Sequence, residues 1–282
     1  MAVLEPLTTL AGLAARTSRV RMGTLVLGAP FRHPVLLAKA AATIDALTEG
    51  RLDLGLGAGW FQEEFEAFGM TFGSLGERFT NLEETLRALD ALFTGSGAGA
   101  GDPVTFEADV ASIHGARLLP PPVQRPRIPL WVGGKGGPRL LRLAAELADG
   151  WNTVWRWSPD AYAGRVEAAH RACIAAGRDP ATMRLSVGLY ALVGEDASSV
   201  RSTFERARAT MPGDAMHQET LETWSADTLS GTPDQILERI ERFDRLGVEE
   251  LIIAPWIQPF VIPEAEQVEM FAERVIAPWR SG

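Results

Sequence analysis

Cysteine is nearly absent. Cys173 is the only one among 282 residues, which excludes an intrachain disulfide and, with it, the disulfide-framework class of secreted proteins. The first residues carry neither a basic segment nor an apolar stretch long enough for a signal peptide, so a cytoplasmic location is the expectation. No apolar run reaches the roughly 20 residues that span a bilayer. Positive charge is also in deficit: 27 Lys and Arg stand against 36 Asp and Glu, giving a formal net charge of -9. The basic residues are scattered, which speaks against a nucleic-acid or anionic-membrane partner.

The signatures of several common chemistries are missing too. The four histidines, His33, His114, His170 and His217, show neither H-x-H nor H-E-x-x-H spacing, and one cysteine cannot complete a zinc set, so no metal is expected. There is no G-x-S-x-G nucleophile elbow and no Walker A loop. Gly57-Ala58-Gly59-Trp60-Phe61-Gln62 lacks the third glycine of the dinucleotide fingerprint. Glu63-Glu64 reads as the acidic start of a helix rather than a catalytic pair.

What is present is an alternation of strand and helix. Six apolar runs read as strands buried on both faces: Val20–Ala29, Leu52–Gly57, Ile128–Gly133, Gly150–Val154, Arg184–Val193 and Glu250–Pro255. Between them, Leu36, Leu37, Ala40, Ala41, Ile44 and Leu47 recur at helical spacing, as do Phe79, Leu82, Leu86, Leu89 and Phe93, then Leu140, Leu143, Ala144 and Leu147. Thr232-Pro233-Asp234-Gln235 predicts a capped helix running to Gly247. Such a chain builds a parallel sheet, and its length suits a single barrel domain over residues 1–282. Leu4 to Thr17 already reads as a helix, so the chain opens in mid-unit and about six of eight barrel strands are expected. Residues 95–127, beginning with the glycine-rich link Gly95–Gly101, read as an excursion; 211–231 reads as either a lid or an inert surface loop.

Barrel sites sit at the C-terminal ends of strands, and here those ends are poor in acids and bases but rich in glycine and tryptophan. Gly133-Gly134-Lys135-Gly136-Gly137-Pro138 leads into a helix, which makes it either a phosphate cradle with Lys135 as counter-charge or a plain tight turn. Trp60, Trp131, Trp151, Trp155 and Trp256 are candidates to wall a pocket for a flat ring, though core or rim packing accounts for most such tryptophans. A site of this composition suits chemistry carried by a bound cofactor.

The stretch from "LEPLTTLAGLAARTSRVRMGTLVLGAPF" through "GRLDLGLGAGWFQEEFEAFG", continued by "GARLLPPPVQRPRIPLWVGGKGG", "LADGWN" and "GTPDQILERIERFDRLGVEELII", resembles the bacterial-luciferase-like superfamily of flavin- and deazaflavin-dependent oxidoreductases. The resemblance implies a TIM (β/α)8-type barrel, here N-terminally incomplete, that binds coenzyme F420 or FMN at the strand C-termini. It implies that Gly57, Ala58 and Gly59 let the ring system approach, that Trp60 begins the loop beside it, and that Leu25 and Val26 flank a non-proline cis peptide against the ring. Gly133, Gly134, Gly136 and Gly137 match the segment that receives the cofactor phosphate.

The "GLGAGW" form is similar to the F420-using branch, with FMN the alternative. Sugar-phosphate dehydrogenases of that branch have a glutamate where this chain has Trp60, so that activity is not expected. Family members contribute an Asp or His near the ring from a loop that precedes the segment matched here, so no catalytic acid or base is assigned. The expected activity is hydride transfer to or from a small organic substrate; the alternatives are an FMN-dependent monooxygenase and a non-catalytic truncated flavin-binding or partner subunit. The resemblance also implies a homodimer.

Overall fold

The computed structural model of the protein describes residues 4–95, 102–211, 216, 218–257 and 264–281. Residues 96–101 of the glycine-rich link, and residues 212–215 and His217 of the expected lid, lie outside them. The chain gathers into two compact units, Met1–Trp151 with Ala172–Met183, and Asn152–Arg171 with Arg184–Gly282.

In the first unit, helix α1 (Pro6–Ala14) buries Leu7, Leu10 and Ala14, and its N-cap Glu5 accepts the Thr8 amide at 2.7 Å. The predicted Val20–Ala29 strand is two short pieces, β1 (Met22–Gly23) and β2 (Leu27–Gly28). Helix α2 (Pro34–Leu47) follows, then β3 (Leu52–Gly57), α3 (Gln62–Ala67) and α4 (Leu75–Gly95). Both β1 and β2 pair in parallel with β3, Met22 opposite Leu52 and Leu27 opposite Leu56. On its other edge β3 pairs in parallel with β6 (Leu130–Gly133), Leu54 opposite Leu130. Alternation then sends Leu52, Leu54 and Leu56, all fully buried, to one face and Asp53, Gly55 and Gly57 to the other.

The excursion is more ordered than its composition suggested. It contains an antiparallel hairpin, β4 (Val104–Ala108) with β5 (Ala111–Ala116), and then a segment pinned to α2. The pin explains a shift in α2. Its predicted apolar stripe included Leu36 and Leu47, which are 70% and 56% exposed, whereas the buried face runs through Leu37, Ala38, Ala41, Ala42 and Asp45. Asp45 is wholly buried because its carboxylate accepts the amides of Val123 and Gln124 at 2.7 and 3.1 Å and the Gln124 side chain at 2.8 Å. A polar residue so satisfied can occupy a core position that hydrophobic periodicity would leave blank. Helix α5 (Pro138–Leu147) follows β6; the Arg178 guanidinium closes its far end by donating to the carbonyls of Ala144, Ala145 and Ala148.

Strand β7 (Gly150–Trp155) and helix α6 (Pro159–Ala175) carry the chain onward. In the second unit the central strand is β8 (Arg184–Val193), followed by α7 (Ala197–Ala209), α8 (Leu221–Ala226), β9 (Leu229–Gly231), α9 (Pro233–Asp244) and β10 (Val248–Ala254). Both β9 and β10 run parallel to β8, β10 along Leu185–Tyr190 and β9 along Ala191–Val193. Three residues are too few to show a periodicity, which is why β9 is not legible in the sequence. Helix α9 starts as predicted, with Gln235 accepting the Thr232 amide at 3.0 Å, and ends before Gly247 at φ +81°. Met216 and Trp224, from the expected lid or loop, are buried with Leu192, Phe204, Ala207, Trp256 and Ile257. Among the described residues no helix is long and apolar enough to cross a membrane.

Replacing Asp45 by Ala strands two backbone amides and one N–H of the Gln124 side chain, whose amide nitrogen still donates to the Leu52 carbonyl, inside the first unit. The expected loss is about 3 kcal/mol of unfolding free energy, read from urea denaturation; a loss below about 1 kcal/mol would show that water replaces the carboxylate.

Candidate cofactor and substrate site

The break between β1 and β2 is the first element of the site. The Leu25–Val26 peptide is cis, as is Val154–Trp155 in β7. Where the broken strand leaves β3 unpaired, Thr24 supplies the missing partner: its hydroxyl donates to the Gly55 carbonyl at 2.8 Å and accepts the Gly55 amide at 3.0 Å. Beyond it the Val26 side chain lies across the glycine face of β3 and β6. A Cβ on Gly57 would stand 2.9 Å from Val26 Cγ2, one on Gly133 2.6 Å from Cγ1, and one on Gly55 2.2 Å from the Thr24 carbonyl oxygen. The strands therefore lack side chains at this level because Val26 takes that volume.

Beside this nest, Gly59 turns the chain at φ +79°, with Phe65 directly behind it. Phe65 packs on Phe31 at 4.3 Å and edge-on to Phe72 at 5.1 Å. The Arg78 guanidinium lies over Phe72 and donates to the Gly59 carbonyl, while its buried Nε has no hydrogen-bond partner. Ala58 is half-buried between the two glycines. Trp60 projects outward, 84% exposed, with Phe61 as its ring neighbour.

The turn after β6 is built for close approach. Gly134 and Gly136 have φ of +156° and +73°, and the Gly134 carbonyl accepts the buried Trp151 indole N–H at 3.0 Å. Gly137 is the N-cap of α5, with no side-chain cap and nothing within 4 Å of the position a Cβ would take. Pro138 has no amide hydrogen, and helix geometry leaves the Arg139 and Leu140 amides without an intrahelical acceptor. The helix dipole adds partial positive charge at the same point.

The structure thus brings Val26, Gly57 and Gly133 into contact and seats Gly59 beside them, with Gly134, Gly136 and Gly137 following along the turn; Trp60 stays apart. Trp131, Trp151 and Trp256 are core residues. A cavity of about 650 Å³ between α4, the β4–β5 hairpin and Arg139 is lined by none of the predicted residues. Its walls include Glu77, Glu84 and Asp109, an acidic lining that does not suit a phosphate. Among the described residues no cluster of three His, Cys, Asp or Glu could hold a metal.

The second unit carries a cluster that the sequence did not reveal. At the C-terminal ends of β7 and β8, the rings of Trp155, Tyr190 and Trp224 stack in series, Tyr190 lying 5.5 Å from Trp155 and 5.3 Å from Trp224. Arg156 lies over Trp224 and donates to Asp227 at 2.7 Å and to Glu219 at 2.6 Å. The Arg156 hydrogen bond holds the Glu219 carboxyl below the usual carboxylate range, against the opposing pull of burial. Burial pushes the Tyr190 phenol up, and the positive Arg156 only partly offsets it.

A family model described as luciferase-like monooxygenase matches residues 2–250. The phthiodiolone/phenolphthiodiolone dimycocerosates ketoreductase of Mycobacterium tuberculosis is 31% identical over 244 residues, covering 84% of this chain and 62% of that protein. The chain thus spans about three-fifths of the length of that curated relative. An F420-dependent secondary alcohol dehydrogenase, solved with an F420-acetone adduct, superimposes with a TM-score of 0.76 at 20% identity, covering 97% of this chain and 84% of the other. The EDTA monooxygenase of Chelativorans sp. BNC1 gives 0.80 at 18% identity, covering 99% and 77%. These likenesses show the fold, an α/β architecture of the TIM-barrel type; among the described residues the main path of parallel strands has six members, β1-β3-β6-β7-β8-β10, with β2 and β9 as short side pairings, against the eight of a closed barrel.

Two outcomes follow from this geometry. Gly133→Ala should cost about 1–3 kcal/mol by overpacking, and Val26→Ala in the same chain should return most of that loss in a double-mutant cycle of urea midpoints; strict additivity would show that the two do not touch. For Glu219, a depressed folded pKa contributes stability that is complete above the unfolded value of about 4.5 and is lost as pH falls through the folded one. Denaturation midpoints should therefore fall more steeply below about pH 4.5 in the parent than in Glu219→Gln; parallel profiles would remove the Arg156–Glu219 pair as a source of acid lability.

Proposed function

The chain belongs to the luciferase-like monooxygenase family, and from that membership we propose that it is an oxidoreductase that uses coenzyme F420 to pass a hydride to or from a small organic substrate. The observation that carries this reading is the glycine turn from Gly133 to Gly137 running into the uncapped start of α5. Its chemistry fits the phosphate of a flavin-type cofactor: free amides at Arg139 and Leu140, a favourable dipole, and open space at Gly137. Gly57, Ala58 and Gly59 at the end of β3, with the Leu25–Val26 bulge, would border the ring.

When bound, such a cofactor supplies the two-electron chemistry that the residues of this chain do not. The protein's part is to hold and orient it. Val26 offers an apolar surface, fixed by Thr24 and the three glycines, and the α5 start balances the phosphate charge. Support for F420 comes from the "GLGAGW" form and from the F420 named for the alcohol dehydrogenase of the same fold. That protein's acetone adduct and the ketoreductase name of the mycobacterial relative favour interconversion of a carbonyl and an alcohol. The likeness to a monooxygenase supports FMN-dependent oxygenation as the second reading.

A fluorescence titration with F420 and, separately, with FMN tests this, and the tighter ligand selects between the readings. Gly137→Asp sharpens it. Aspartate is a favoured N-cap residue, so this variant should be at least as stable as the parent, while its carboxylate repels a phosphate at the same point. The expected result is saturable binding by the parent and at least tenfold weaker binding by the variant. Equal affinity in both would move the phosphate elsewhere, and a folded parent that binds neither cofactor would leave a non-catalytic subunit.

A further inference from the structure

Within the second unit, helices α7, α8 and α9 line a cavity of about 600 Å³, a volume suited to a small molecule. Its charged walls are Arg201, Arg239 and Arg242 with Glu222 and Glu238, and among the described residues none of these pairs with another. Arg242 is bonded instead to Asp160, at 2.7 Å. Val200 and Leu221 add hydrocarbon to the same walls.

Arg239 is the half-buried guanidinium of the set. Its Nη1 donates to the carbonyls of Ser225 and Thr228, which ties α9 to the end of α8 and spends that nitrogen alone. The edge formed by Nε–H and Nη2–H, the one that grips two oxygens of a carboxylate or phosphate in parallel, meets no acceptor among the described residues. Neither of those nitrogens is sealed from water.

A guanidinium withdrawn from solvent ordinarily has a carboxylate on it. Here Asp227 is bonded to Arg156, and Glu238 makes no ion pair with its sequence neighbour. Burial pulls the Arg239 guanidinium down from its usual range, and the positive charge of Arg242, one helical turn away, adds to that; Asp227 and Glu238 oppose them only in part. The missing partner of Arg239 is therefore an anion. Arg201 is exposed and without a partner among the described residues, so it can turn to the same ligand without breaking a bond. Glu222 and Glu238 are exposed, where water and salt screen their repulsion.

We propose that this cavity binds a small organic anion, whose carboxylate or phosphate oxygens take the free edge of Arg239. Arg201 supplies the second positive charge, and the apolar body of the ligand lies against Val200 and Leu221. Every residue of the site belongs to the second unit, so the proposal stands independently of the cofactor reading and of the glycine turn.

Calorimetric titration of the full chain with benzoate and, separately, with phenyl phosphate tests it, and the tighter probe identifies the head group. Saturable binding of at least one is expected. In Arg239→Lys the ammonium can still donate to the Ser225 and Thr228 carbonyls but offers no parallel pair of N–H groups, so affinity should fall at least about tenfold. A role confined to tying α8 to α9 would leave the affinity unmoved. Arg201→Ala removes an exposed, unpartnered side chain, should weaken binding several-fold, and decides the question if Arg239→Lys does not fold. The arginine-dependent binding should persist in Gly137→Asp. No binding of either probe by the folded parent overturns the proposal, as does parent-like affinity in the folded arginine variants. Binding lost in Gly137→Asp but kept in the arginine variants assigns the anion to the glycine turn and overturns it as well.

Discussion

The contact of one valine with three glycines organises the first unit. Val26 can cross the face of β3 and β6 only because Gly55, Gly57 and Gly133 offer no side chain against it. Thr24 makes the crossing affordable in hydrogen bonds, since its hydroxyl takes both the donor and the acceptor of Gly55 that a continuous strand would have paired. An apolar bulge thus stands at the end of a parallel strand with its backbone satisfied. The glycine turn leading to α5 opens from the same strand, β6, that supplies Gly133.

This arrangement gives the first unit surface and polarity rather than reactive groups. Its glycine turn directs backbone amides and a helix dipole outward, and Val26 presents hydrocarbon. The second unit is organised differently, around a guanidinium that ties β7 to the segment containing α8 and a file of three aromatic rings. Arg156 is neutralised by two carboxylates and stacked on Trp224, so its charge serves cohesion.

Particular residues show how far the sequence could be read. The strands β3, β6, β7, β8 and β10 stood out as apolar runs, and α9 announced itself by a capping pair and a terminal glycine. The glycines at 133–137 were legible as a turn into a helix. Asp45 was not, because a charged residue in a helix reads as a solvent-facing position until its partners at Val123 and Gln124 are known. Nor was Trp60, whose bulk suggested a wall and which instead faces outward. Tyr190 gave no signal at all within "LSVGLYALV", since its neighbours Trp155 and Trp224 lie 35 and 34 residues away.

By itself the sequence determined the class of the fold, the alternation of elements and the places where the backbone had to be bare. These are local properties, carried by periodicity, capping residues and glycine, and they survive without knowledge of what packs on what. Tertiary structure decided what the bare backbone is for and which side chains remain unspent. Whether a glycine serves a ligand or a neighbouring valine, and whether a phenol or a carboxylate has a partner, depends on atoms brought together from distant parts of the chain, and no local pattern encodes those distances.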